Sequence, residues 1–291
     1  MAEKQFASKR VAEKSQRILI YTILVVVSVL WLFPFFYLIL QSFGDHGAMG
    51  FDSSSLFPNL WTGRNYAALF SSDGLPFFRW WLNTFIIALA TAVLQTILVL
   101  MTAYALSRLR FNGRQGFMKL ILILGMFPGF LGMLVNYYIL HLLGVDGSMF
   151  CLIIVYVASS AMSYYIAKGF FDTVSHSLDE AVMIDGGSKN TVFWRIILPL
   201  SKPIIIYTVL ISFTAPWGDF MFGNFIAQAG IAQGIGKTDW TVAVGLYNIT
   251  DMKDFGVFCA GSVLVSIPIA VLFFWLQRYY VEGIVGGAVK G

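Results

Sequence analysis

Charge is scarce in this sequence. Only 12% of its 291 residues are Asp, Glu, Lys or Arg, where an average soluble domain has roughly a quarter. With 58% hydrophobic residues and a mean hydropathy of +0.77, the chain has more apolar surface than one soluble core could bury. Cysteine is nearly absent. Cys151 and Cys259 lie in separate apolar runs with no CxxC, so they read as small buried hydrophobes and say nothing about redox compartment. There is no His-Glu-x-x-His, and the grouping of His176 with Asp172, Asp179 and Glu180 fits no zinc spacing; it reads as a solvated polar loop. Gly-x-Ser-x-Gly is missing as well. Gly236-Lys237-Thr238 looks like the end of a phosphate loop, but the glycine needed five positions earlier is Ile231, and no apolar strand precedes it. No catalytic residue, metal site or bound cofactor is therefore expected.

What is abundant is long apolar runs. Six of them, Ile18–Leu40, Leu82–Leu106, Leu120–Leu140, Met149–Ala167, Ile204–Ala227 and Phe255–Leu276, are each long enough to cross a bilayer as a helix. The first is too long for a signal-peptide core and has no small-residue cleavage site. The connecting charges set the orientation. Five Lys and Arg lie in residues 1–17, four in 107–119, four in 168–202 and two near the C-terminus; Arg64, Arg79, Lys237 and Lys253 face the other way. That is the positive-inside asymmetry, so the net charge of +4 marks topology rather than nucleic-acid binding. The sequence predicts an all-α integral membrane protein with six transmembrane helices and both termini cytoplasmic. Residues 1–17 form a cytoplasmic segment, 18–280 the membrane domain and 281–291 a cytoplasmic tail. Residues 228–254 form an outer loop. Gly125, Pro128, Gly129 and Gly132 interrupt the third span, which requires protein or water to cover the freed backbone.

Two features stand out from this background. Asp219, beside Pro216, Trp217 and Gly218 in the fifth span, is an ionisable residue within the membrane and hence a functional candidate. With Phe213 and Phe220 it could line a substrate path, the aromatic faces stacking on sugar rings. Equally, it could pair with a partner's cation or cap a broken helix. The other feature is the polar stretch 172–202. Ser177 and Glu180 have capping-box spacing, Leu178, Ala181 and Val182 make a small apolar face, and Gly186-Gly187 ends the helix. A second turn through Phe193, Trp194 and Ile197 runs into Pro199. On spacing alone this helix is either a docking surface or an amphipathic segment lying on lipid headgroups.

Glu180-Ala181-Val182, three residues, Gly186, nine residues, Ile196, one residue, Leu198-Pro199 resembles the EAA loop of ABC-importer permeases. The one departure is Val182, where the pattern has Ala. The ending from Tyr280 through Gly287-Ala288-Val289-Lys290-Gly291 is similar to the tail of the carbohydrate, maltose/maltodextrin-type branch. The resemblance implies the type I importer permease fold in a bacterial or archaeal cytoplasmic membrane. It further implies a heterodimer with a second permease, two ATPase subunits that bind ATP and Mg, and an extracytoplasmic sugar-binding protein. In that scheme Glu180, Ala181, Val182, Asp185, Gly186, Ile196, Leu198 and Pro199 serve ATPase coupling, and the tail reaches toward the ATPase. Gln233, Gly234, Gly236 and Lys237 would touch the binding protein. Two rivals are a permease for another solute and a secondary transporter. The latter predicts several buried charges at matched positions in two halves, whereas only Asp219 is present and no internal repeat is visible.

Overall fold

The computed structural model describes residues 2–45, 56–58, 60–71, 75–251 and 255–288. In chain order the helices are α1 (Ala2–Ser42), α2 (Arg64–Phe70), α3 (Phe77–Arg108), α4 (Arg114–Gly125), α5 (Gly129–Leu142), α6 (Cys151–Ala158) and α7 (Ala161–Thr173). There follow α8 (His176–Ile184), α9 (Lys189–Val192), α10 (Leu198–Leu200), α11 (Lys202–Gly218), α12 (Met221–Ala232), α13 (Val242–Asp251) and α14 (Phe255–Ala288). Among the described residues the extended pairing is confined to one isolated bridge, Gly44 with Trp61.

Helix α3 is the axis of the bundle. Its 32 residues extend about 48 Å, more than a hydrocarbon core needs. One face carries small or short side chains (Thr84, Ala88, Thr91, Ala92, Ala103) that are buried, which lets α6, α7 and α11 approach closely. Gln95 on that face donates from Nε2 to Ser160 Oγ at 2.6 Å, so the polar group is satisfied inside the bundle. Helix α1 is the opposite case. From Ile18 to Phe36 its side chains are exposed on every side, which for an apolar helix requires lipid or another protein as solvent.

Among the described residues, three stretches are continuous helices long and apolar enough to cross a membrane: Lys14–Ser42, Phe77–Arg108 and Phe255–Tyr279. Two bent helix pairs among the described residues are long and apolar enough only when each pair is taken together. Helices α6 and α7 meet at 44° around Ser159 and Ser160, and the segment Lys189–Leu200 turns by 79° at Ser201 into α11. The third run is broken at Met126–Pro128 between α4 and α5, as its glycines and proline lead one to expect: Pro128 has no N–H and disfavours helix at the residue before it. The fifth run is interrupted too, at Asp219 between α11 and α12.

The described part of the expected outer loop, residues 228–251, contains two α-helical stretches. Helix α12 runs to Ala232 and α13 begins at Val242, with Val242, Val244, Leu246 and Ile249 buried in the main core. Trp80 stacks on Trp240 (6.1 Å), and its indole lies where a Cβ on Gly245 would be, 2.1 Å from Cε3. The glycines and glutamines of this stretch interrupt hydropathy without preventing helix.

Two cores result. The larger joins Ile87, Leu152, Trp217, Ile226 and Val242; the smaller packs Val99, Ala103, Phe171, Val192 and Ile197. Helix α3 contributes to both, and the polar stretch 172–202 is built over the smaller one.

Candidate functional site

Helix α8 starts two residues earlier than the capping-box spacing suggests. Ser175, not Ser177, is its N-cap, accepting from the Ser177 N–H at 3.3 Å. Glu180 is thus too far into the helix to reach back, and it stands exposed. The true capping box comes one helix later, between Ser188 and Thr191. The C-terminal end follows the sequence closely. Gly186 takes φ +79°, the Gly187 N–H donates to Val182 O at 2.8 Å and the Gly186 N–H to Met183 O at 3.2 Å, a Schellman closure. Gly187 is required for a second reason: a Cβ there would lie 2.5 Å from Val182 Cγ1 and 2.9 Å from Val182 O. The larger residue at 182 occupies that room.

The expected apolar face is split. Val182 turns inward onto the smaller core, while Leu178, Ala181, Met183 and Ile184 are exposed beside Glu180, Asp185 and Gly186. Beyond the turn, α9 runs into a π-helical turn, Phe193–Ile197, that buries Phe193 and Ile197. Ile196 and Leu198 are half-buried and Pro199 is exposed just before the bend. The inward residues thus hold a base from which one short helix projects.

Of the polar residues around α8, Asp172, His176 and Glu180 face solvent, while Asp179 is tied to a buried arginine. Arg108, the last residue of α3, has a side chain only 2% exposed. Its Nη2 donates to Phe171 O (2.7 Å) and Val174 O (2.6 Å), closing the end of α7. Its Nη1 meets Asp179 Oδ2 at 3.2 Å and donates to His176 Nδ1 at 2.7 Å. Ser107 donates to Asp172 Oδ1 (2.6 Å), Lys168 pairs with Asp172 Oδ2, and Tyr104 donates to Lys189 O (2.7 Å). Three positions on one face of the end of α3, Tyr104, Ser107 and Arg108, therefore hold α7, α8 and α9. In the sequence Arg108 carries only a topology signal, and no spacing rule links it to a partner 71 positions on.

Asp219 is bonded twice. Its Oδ1 accepts from the Phe222 N–H at 3.0 Å, capping α12, and its Oδ2 accepts from Tyr156 at 2.7 Å. Tyr156, on α6, was not singled out by the sequence. Phe213 and Trp217 are buried, edge-on to Phe85 (6.1 Å) and Trp81 (5.8 Å), and Phe220 packs on Tyr247 at 4.2 Å. At the far end of α3, Gln233, Gly234, Gly236 and Lys237 are all exposed. Gln233 Nε2 donates to Asp146 Oδ1 (3.2 Å), and His141 bonds the other oxygen (2.9 Å), which holds the Asp146 carboxyl below its ordinary value. Lys237 O accepts from Trp80 Nε1 at 2.7 Å. Gly287 and Ala288 end α14, while Val289, Lys290 and Gly291 lie outside the described residues.

Comparison with known proteins matches residues 99–285 to the family model "Binding-protein-dependent transport system inner membrane component". The chain is 33% identical over 276 residues to the galactooligosaccharides transport system permease protein GanQ of Bacillus subtilis, covering 93% of this chain and 94% of that protein. It is 32% identical to the maltodextrin transport system permease protein MdxG of the same organism, covering 96% and 98%. In fold it is similar to a chain of a bacterial ABC transporter involved in import of the acidic polysaccharide alginate, with a TM-score of 0.68, 18% identity and coverage of 92% and 98%. A projecting helix bearing the EAA spacing, on an all-helical apolar bundle whose sequence matches the family model over most of its length, identifies the chain as a member of the binding-protein-dependent transport system inner membrane components, the membrane-spanning permeases of ABC importers.

Proposed function

We propose that this chain is one permease of a heterodimer that imports oligosaccharides, with maltodextrin-like glucans the preferred class, and that α8 seats in a cleft of a separate ATPase subunit. The carrying observation is the exposed set Leu178, Glu180, Ala181, Met183 and Ile184 on a helix whose other face is bound to the chain. A helix merely lying on headgroups needs no such clasp. Closure of the ATPases on ATP would move α8, and the six membrane runs, with both termini cytoplasmic, would switch access between the two sides. The substrate path would pass the Tyr156–Asp219 pair and the aromatic residues Phe213, Trp217 and Phe220, which would have to part from their present packing to meet a sugar. The exposed turn at Gln233, Gly234, Gly236 and Lys237 would touch the binding protein, and the tail Gly287 to Gly291 would reach the ATPase. The chain itself hydrolyses nothing. GanQ and the alginate system keep a second reading in view, another acidic or galactose-containing oligosaccharide.

The test is copurification of this chain with the products of neighbouring genes, followed by ATPase measurement with a panel of sugars and binding protein. Stimulation by maltodextrins above galactooligosaccharides and alginate fragments is expected. Stimulation only by the others would transfer the assignment, and failure of any ATPase to copurify would overturn the docking role.

A further inference from the structure

We propose that Arg108 is a positioning residue that keys α8 to the inner end of α3, so that helix and span move as one body. The inference rests on the reading of α8 as the ATPase-docking helix. One guanidinium, withdrawn from solvent, binds two separate elements at once: the terminal carbonyls of α7 through Nη2, and His176 and Asp179 of α8 through Nη1. A planar fork of fixed donors can hold such a junction at a set angle; a single ammonium cannot reach all four acceptors in that geometry. Without this residue, α8 would be joined to α3 chiefly through Val182 on the smaller core and through Tyr104, which holds α9. At its other end α3 is held by Trp80 and Asn83, which donate to the carbonyls of Lys237, Thr238 and Trp240. A displacement of α8 passed into α3 is therefore delivered to the turn at the opposite face.

The experiment uses the full chain in lipid nanodiscs, with spin labels at exposed Met101 on α3 and exposed Ile184 on α8, and a reference pair at Met101 and Ile166 on α7. Distance distributions are read for Arg108→Gln, Asp179→Ala, the double variant and Arg110→Gln. The last removes one charge from the same end of α3 at an exposed position outside the junction. Asp179→Ala should broaden the 101–184 distribution and leave 101–166 sharp, because the carbonyl bonds of Arg108 survive. Arg108→Gln should broaden both, and the double variant should add nothing to it at 101–184. In the assembled importer, Asp179→Ala and Arg108→Gln should lower uptake per ATP hydrolysed by roughly tenfold or more, with Arg110→Gln unchanged. If Arg108→Gln fails to accumulate, Asp179→Ala carries the test alone. A wild-type 101–184 distribution in Asp179→Ala, or an equal loss in Arg110→Gln, would overturn the proposal. The distance measurements need no partner, so absence of a copurifying ATPase would remove the docking role and not this result.

Discussion

Replacing Glu180 separates what α8 does for its own chain from what it does for a partner. The side chain is exposed, lies outside the helix cap and makes no hydrogen bond or ion pair with the described residues. Removing it should change the stability of the purified chain by no more than about 0.5 kcal/mol, the usual range for an exposed position. The cap residue gives the contrast: Ser175→Ala should cost about 1 kcal/mol, because the Ser177 N–H loses its acceptor. Against a basic residue in an ATPase cleft, Glu180 would be one half of a desolvated pair. Its loss should weaken association by roughly 2–5 kcal/mol, or about 30-fold to a few thousand-fold. Gln keeps the shape and not the charge, so Glu180→Gln should fail nearly as fully as Glu180→Ala. The assays are thermal unfolding of the purified chain and ATPase copurification with sugar uptake at matched expression. Normal assembly and uptake by Glu180→Gln would refute the charged-contact reasoning and leave the interface to the apolar residues around Ile184.

Gly187→Ala should destabilise α8 by about 1–3 kcal/mol through overpacking on Val182, and Val182→Ala in the same chain should recover part of it; no recovery would mean the strain lies elsewhere. Gly186→Ala, with open space around it, should cost only the left-handed backbone term of about 1–2 kcal/mol. Cysteine at Thr238 should react with an impermeant reagent in intact cells and cysteine at Asn112 should not; the reverse pattern would invert the topology. Asp146, whose carboxyl is held low mainly by its hydrogen bond with His141, contributes stability that is complete above the ordinary carboxylate range. That contribution is lost as pH falls through the lowered value, so Asp146→Asn should flatten the acid limb of unfolding, and an unchanged limb would show that other carboxylates govern it.

The long apolar helices and the family were legible in the sequence because each depends on local quantities. Apolar run length and the Glu180-to-Pro199 spacing both survive without knowledge of contacts. The Gly186 turn was legible for the same reason, since positive φ is a property of one residue. Position along the chain also exposed the breaks at Pro128 and Gly218. What only the tertiary structure decided is which side chains meet. Arg108 reaches Asp179, Tyr156 reaches Asp219 and Trp80 reaches Lys237 O across 71, 63 and 157 positions, and no periodicity encodes such pairs. The cap is Ser175 rather than Ser177: both offer the same hydroxyl, and Ser175 is the one whose backbone is non-helical (φ −59°, ψ 134°). Residues 228–232 and 242–251 are helical because Trp80 and Trp240 supply a surface for the second of these helices, and burial against that surface outweighs the glycines that, read alone, predict a loop.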